Sequence, residues 1–469
     1  MGSPRLARGR PLCLNHGILT IPPLPPLSRR QAMQTIDLLI EARWIIPVEP
    51  AHTLWENHAI AVEQGRILDI LPIDQARALY FPREIKVLPD HLLIPGLVNL
   101  HTHAAMSLLR GLADDLPLME WLQDHIWPAE GRHVSKNFVH DGTLLAAAEM
   151  LRGGITCFND MYFFPEAAAE AAETLGIRAA LGLTVLEAPT SYASDAEDCL
   201  NKGLEARDRL KAHPLLSFCL APHAPYTVSN KTFERVLTLS EQLDLPIHVH
   251  LHETQGEIDG SLKQYGLRPL QRLQELGLLS PNLIAVHGVH FNAGEIALLA
   301  QQGCSIAHCP SSNLKLASGI PPLQAWLDAG INVGLGSDGS ASNNRLDLLT
   351  EMRLASLLAK GVTQNAEAAP AHQMLRMATL NGAQALGLQD KIGSLEKGKE
   401  ADICALAITA PETQPCYSPQ SHLVYVLDRS AVTHVWTHGQ LRLNNGELQE
   451  IGKNDLINLA RLWQNKIRD

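Results

Sequence analysis

In the middle of the chain eight short apolar runs alternate with stretches of helical pattern, and that alternation admits few folds. The runs are LLIPGLVNLHTH, GITCFND, RAALGLTV, LLSFCLAPHAPY, PIHVHLHE, NLIAVHGVH, CSIAHCP and INVGLGSDG. Between them lie patterns such as NFVHDGTLLAAAEMLRG, PEAAAEAAETLG and AGEIALLAQQG, several closing on glycine, a common helix stop. Uninterrupted apolar runs suit strands buried on both faces. Eight strand–helix units are the count of a (β/α)8 TIM barrel, an α/β fold.

Both ends of the chain read differently. From Thr35 to about Leu93 come short β segments, IDLLIEARWIIPV, HAIAVEQGRILDILP and EIKVLPDHLLIPG, with turn signals at Gln64-Gly65 and Pro89-Asp90. Similar strands return after residue 392 in IGSLEKGKEADICALAI and VTHVWTHGQLRLNNGEL. The two ends read as one β-rich unit interrupted by the barrel. The first 33 residues stand apart, with five arginines, six prolines and no acid. The prolines oppose an amphipathic transit helix, so the segment is expected to be a disordered extension, with Met33 as a candidate initiator.

Composition removes several function classes. A formal net charge of −11 leaves no excess of Lys and Arg to neutralise phosphates, which argues against nucleic acid and anionic membranes as partners. No apolar run reaches the length of a membrane span. Eight scattered cysteines without any C-x-x-C indicate reduced thiols and a cytoplasmic protein; Cys304 and Cys309, flanking His308, fit no zinc module and read as core.

In a TIM barrel the active site lies at the C-terminal ends of the strands. Strand one ends in His101-Thr102-His103, strand four in Pro222-His223-Ala224-Pro225, strand five in HVHLHE, strand six in VHGVH, strand seven in AHCP and strand eight in Gly336-Ser337-Asp338. Residues i and i+2 of a strand point the same way, so His101 and His103 present two imidazoles in one direction. A lone His-x-His is common in strands that bind nothing, but metal-capable residues at the same end of six strands give this pair partners. Two ligands from strand one, one from strand five and Asp338 would make a catalytic zinc set. His248, His250 and His252 share one face, and spacing does not choose among them. Glu253 is the natural proton shuttle, against the alternative of a solvated loop acid. Asp338 has a rival role as a helix N-cap, with Asn343 and Asn344 nearby. His287 or His290 could be a satisfied core histidine, and His308 is expected to be one.

The motifs GLVNLHTHAAMSLLRGLADDLPLMEWL, APHAPYTVS, HLHET, VHGVH, HCPSSNLKLASG and GLGSDGSASNNRLDLLTEMRLASL together resemble the amidohydrolase superfamily. Within it the chain is similar to S-adenosylhomocysteine/5′-methylthioadenosine deaminases from about Ile36 to the GSLEKGKEADICAL turn. The resemblance implies a composite β-sandwich packed on the barrel. It divides the chain into 1–34 outside the fold, 35–93 and 392–450 in the sandwich, 94–391 in the barrel and 451–469 as a C-terminal helix. It also implies one divalent ion, zinc, on His101, His103, His250 and Asp338, although such sites accept iron or manganese too.

The reaction implied is hydrolytic deamination at C6 of the adenine ring of 5′-methylthioadenosine, S-adenosylhomocysteine or adenosine. Glu253 would pass a proton to the ring nitrogen, Asp338 would orient the attacking water and accept its proton, and His287 would stabilise the developing oxyanion. Glu130 matches the acid that holds ribose hydroxyls, and His223 a substrate-binding histidine. The resemblance favours a homo-oligomer acting on a small nucleoside. One departure stands out. No Arg occurs between Arg178 and Arg207, so the carboxylate of S-adenosylhomocysteine would lack a bidentate partner unless Lys202 or a partner subunit supplied one. That favours 5′-methylthioadenosine or adenosine. The rival readings are a guanine deaminase, a triazine hydrolase, or a non-catalytic scaffold of the same fold.

Overall fold

The computed structural model describes residues 1–2 and 33–468; the expected disorder of the N-terminal extension lies outside the described residues. The first part of the chain forms β1 (Gln34–Ile45), β2 (Trp55–Glu63), β3 (Arg66–Pro72) and β4 (Tyr80–Pro95). β1, β2 and β3 pair antiparallel in sequence, and β4 returns parallel to β1 after the helix Ile73–Leu79. Gln64-Gly65 does turn the chain between β2 and β3. Pro89-Asp90 does not: it lies inside the single strand β4, which corrects the expectation of a turn there. The register explains why. Ala42 pairs with Leu88 but Trp44 with Leu92, so one residue of β1 faces three of β4. Pro89 sits in that bulge, where its missing N–H breaks no ladder bond.

Eight parallel strands follow: β5 (Leu97–Thr102), β6 (Ile155–Asp160), β7 (Arg178–Val185), β8 (Leu216–Pro222), β9 (Ile247–Leu251), β10 (Leu283–His287), β11 (Ser305–His308) and β12 (Asn332–Leu335). The expected first run, LLIPGLVNLHTH, is split at Gly96: its first half belongs to β4 and its second to β5. Across the seam between β12 and β5, the Asp338 N–H donates to His101 O at 2.9 Å and Asn99 bonds both Ser337 N and Ser337 Oγ. The result is the TIM barrel that the alternating pattern implies. Val98, Leu100, Cys157, Ala180, Ile284, Val286 and Ala307 fill its interior, and the short helix Leu380–Ala385 packs against them.

The chain then returns with β13 (Ile403–Ala407), β14 (Val432–Thr437), β15 (Gln440–Asn444) and β16 (Glu447–Leu448). β13 pairs with the end of β4, giving the order β16-β15-β14-β13-β4-β1-β2-β3. Leu38, Ile40, Ile60, Val62, Ile403 and Trp436 meet in one cluster, so the strands of both chain ends enclose a common core as the composite sandwich. Alternate residues Leu39, Ala59 and Ala61 face the other way into a second cluster, the period of two expected of strands. A helix, Lys453–Arg468, closes the described chain. No helix among the described residues is long and apolar enough to cross a membrane.

Candidate active site

A cavity of about 740 Å³ opens at the C-terminal ends of the barrel strands. His103, Glu130, His223, His250, Glu253, His287 and Asp338 line it, and His101 lies fully buried beneath it. The eight residues singled out from the sequence therefore share one place.

Strand geometry explains how they get there. In a parallel ladder, paired residues share a face; His248 pairs with Ile284 and His250 with Val286, both interior residues, so the two imidazoles point inward. β5 slips register against β6 between Asn99 and Thr102, which re-aims His101 and His103 toward the axis. His287 follows interior Val286 and would point outward by strict alternation. Its φ of +72° reverses that, and its ring stacks on His250 at 5.4 Å between centroids. Asp338 also has a left-handed φ, +60°. Such conformations are uncommon for non-glycine residues and concentrate at functional sites. Gly336 makes room beside them, because a Cβ there would meet the His101 Cβ at 2.8 Å.

Hydrogen bonds set the ring orientations. His103 Nδ1 donates to Met161 O at 2.7 Å, and His250 Nδ1 donates to His223 O at 2.7 Å. A carbonyl oxygen only accepts, so both rings carry their proton on Nδ1 and turn an Nε2 lone pair toward the cavity. His101 Nδ1 is engaged by His248 Nε2 at 3.0 Å, while His101 Nε2 has no hydrogen-bond partner among the described residues. Burial holds the His101 imidazole down to about 4, so it is neutral near pH 7. Asp338 Oδ1 lies 3.4 Å from both His101 Nε2 and His103 Nε2. One ligand atom each from His101, His103 and Asp338 falls within 4.8 Å of the others, and the same holds for His101, His250 and His287. A buried, unpartnered imidazole nitrogen among inward lone pairs and a carboxylate suits a divalent cation.

The acids are equally placed. Glu253 is 7% exposed, not the solvated loop acid that was its alternative, and burial raises its carboxyl above the usual range. Its Oε2 lies 3.9 Å from His287 Nε2. Asp338 is no helix cap: Asp347 caps Leu348–Thr363, and the Asp338 carboxylate instead accepts from Ser312 Oγ and Gly339 N, each at 2.6 Å. Glu130 accepts from Tyr162 Oη at 2.6 Å, and burial raises its carboxyl too. His223 bonds Thr227 Oγ1 through Nδ1, and burial pulls it down to about 3.

His290 is satisfied, with Nε2 donating to Ser318 O at 2.9 Å. His308 corrects its expectation. It is buried edge-on against Trp326, yet its Nδ1 finds no partner among the described residues. Lys202 does not serve the cavity either; its Nζ is held by Tyr192 O and Asp198 Oδ2, each at 2.8 Å.

Sequence reasoning missed several side chains. Tyr162 holds Glu130, Asn313 Oδ1 lies 2.8 Å from His287 Nδ1, and Ser312 grips Asp338. Glu257 accepts the backbone N–H of His252 at 3.1 Å and of Glu253 at 2.9 Å. Only the HCPSSNLKLASG motif, which contains Ser312 and Asn313, offered a signal for any of them.

Residues 92–442 match the amidohydrolase family. The chain is 48% identical, over 92% of its length and 97% of the relative's, to a 5-methylthioadenosine/S-adenosylhomocysteine deaminase of Saccharophagus degradans. Among solved structures it is similar to a zinc-bound adenosine deaminase from Xanthomonas campestris, with a TM-score of 0.92 and 48% identity over 93% of this chain and 99% of that one. A zinc-complexed atrazine chlorohydrolase from Arthrobacter aurescens superposes with a TM-score of 0.84 at 24% identity, over 91% of this chain and 100% of the other, which is a likeness of fold.

Proposed function

The chain belongs to the amidohydrolase family, and from that membership we propose that it deaminates the adenine ring of an adenosine-type nucleoside by hydrolysis, releasing ammonia and an inosine-type product. The observation that carries the reading is the convergence of His101, His103, His250, Asp338, Glu253 and His287 on one cavity floor. The relative at 48% identity supports the choice of nucleoside over guanine or triazine. Buried free cysteines support a cytoplasmic setting.

His101, His103, His250 and Asp338 would hold the cation, which we take to be zinc. When bound, it would supply Lewis acidity that lowers the pKa of water toward neutrality. The remaining steps belong to the chain's own side chains. Asp338, fixed by Ser312 and Gly339, orients the attacking water toward C6 and accepts its proton. Glu253, whose hold on a proton burial strengthens, delivers it to the ring nitrogen next to C6, where attack builds charge. His287 stabilises the oxygen added at C6 through an Nε2–H. That tautomer requires Asn313 to turn its amide and donate Nδ2 to His287 Nδ1. Asn313 Nδ2 is otherwise buried without a partner among the described residues.

Glu130 and Tyr162 form the ribose end, with the second carboxylate oxygen, which has no hydrogen-bond partner among the described residues, left to accept sugar hydroxyls. Glu130→Gln should lower kcat/KM for adenosine about 10- to 100-fold, the worth of a charge-assisted hydrogen bond, and leave free adenine within about threefold. Steady-state kinetics on both compounds check this, and an equal effect on the two would remove the ribose role.

The cavity wall carries Leu118, Leu122, Ile126, Phe163 and Leu186, and no Lys or Arg among the described residues lines it. A methylthio group suits that surface, whereas the amino-acid carboxylate of S-adenosylhomocysteine would find no cationic side chain among the described lining residues. We therefore place 5′-methylthioadenosine and adenosine ahead of S-adenosylhomocysteine. Ammonia release from these three, guanine and a triazine tests the function: turnover confined to the last two would overturn it.

A further inference from the structure

Asp338 reaches the cavity in a left-handed conformation, and two grips hold it there. Ser312 Oγ donates to its carboxylate at 2.6 Å. One peptide earlier, Ser337 O accepts from Asn343 Nδ2, also at 2.6 Å. Both grips lead back to a single side chain. Glu351, 1% exposed on the helix Leu348–Thr363, accepts the Ser311 N–H through Oε2 at 3.0 Å and Asn343 Nδ2 through Oε1 at 2.9 Å. Ser311 is the immediate neighbour of Ser312. Glu351, Ser311 and Asn343 are absent from the cavity wall.

We infer that Glu351 is a positioning residue for Asp338, a buried carboxylate that joins the end of strand seven to the loop after strand eight and so sets where the Asp338 carboxylate points. The inference rests on the reading in which Asp338 serves the reacting centre. The chemistry of the partners explains why an acid is needed. A backbone N–H and a side-chain amide both donate, so the bridge must present two acceptors. Gln has nearly the same shape, but its NH2 would oppose one of these donors and leave it buried and unpaired. A merely space-filling residue at this position would not depend on that distinction. Glu351 makes no hydrogen bond to Asp338 among the described residues and does not line the cavity, so its effect must travel through Ser311–Ser312 and Asn343.

The test compares wild type with Glu351→Gln and Asn343→Ala, the second breaking one arm only. Each is loaded with Co²⁺ and studied well below its thermal midpoint. The readouts are the visible absorption spectrum of the fully loaded protein and kcat and KM for adenosine per loaded chain. A shifted cobalt spectrum is expected in Glu351→Gln, with kcat lower by about 10- to 100-fold, the usual cost of an outer support, and KM within about threefold. Asn343→Ala should move both in the same direction by less. An unchanged spectrum with kcat within about threefold would overturn the inference, as would a kcat deficit fully explained by lost metal. If Glu351→Gln does not fold, Asn343→Ala decides by the same criteria. Should wild type deaminate no adenosine-type compound, the functional reading fails, and the cobalt spectra still decide the role of Glu351.

Discussion

Glu253→Gln is expected to lower kcat about 10²- to 10⁴-fold while the chain keeps one divalent ion, a loss in the range of a removed general acid. The expectation follows from where the carboxyl sits. Glu253 is 7% exposed, and burial raises its carboxyl above the usual range, which favours the form that carries the proton the purine nitrogen must receive. The N–H groups of His252 and Glu253 are anchored on the buried Glu257, which fixes the backbone from which the acid projects. Gln fills the same space, accepts the same contacts and cannot give up a proton. Metal content should be unchanged, because the four residues assigned to the ion are His101, His103, His250 and Asp338. Parallel elemental analysis and initial rates on 5′-methylthioadenosine check both halves. Activity within a few-fold of wild type would take Glu253 out of the chemistry.

His250→Ala separates metal from proton transfer. Its Nδ1 is committed to His223 O, so its only contribution to the cavity is the Nε2 lone pair. Removing it leaves two imidazoles and a carboxylate, and the ion should fall well below one per chain after dialysis. The fall in kcat should exceed the roughly 10- to 100-fold typical of losing an outer support. Saturating zinc in the assay should recover only part of it. A variant that keeps a full complement of metal would move the strand-five ligand to His248 or His252. The geometry opposes both: His248 Nε2 is spent on His101 Nδ1, and His252 Nε2 accepts Leu270 N–H at 3.0 Å.

How far the sequence speaks for the structure depends on the range of the signal. The barrel was legible because each strand is a local run with its polar residues at one end, and the composite sheet because both chain ends carry short strands. Local cues fail where register or backbone sign changes. Pro89-Asp90 looks like a turn, but β1 accommodates it as a bulge in β4. Alternation would turn His287 outward, and a φ of +72° brings it in. The side chains that hold the site were illegible for another reason. Tyr162 meets Glu130, and Glu351 meets Asn343 and Ser311, across separate elements, and no period or motif marks such pairs in a single sequence. For His308 the expected satisfied core histidine is buried, but its Nδ1 has no partner among the described residues, a distinction that no local pattern carries.

Anomalous diffraction at the zinc edge, from crystals of wild type grown with zinc, tests the central claim most directly. The account predicts one strong peak per chain, about 2.0–2.2 Å from Nε2 of His101, His103 and His250 and from a carboxylate oxygen of Asp338. A cavity floor without a peak, or a peak held by other side chains, would contradict it.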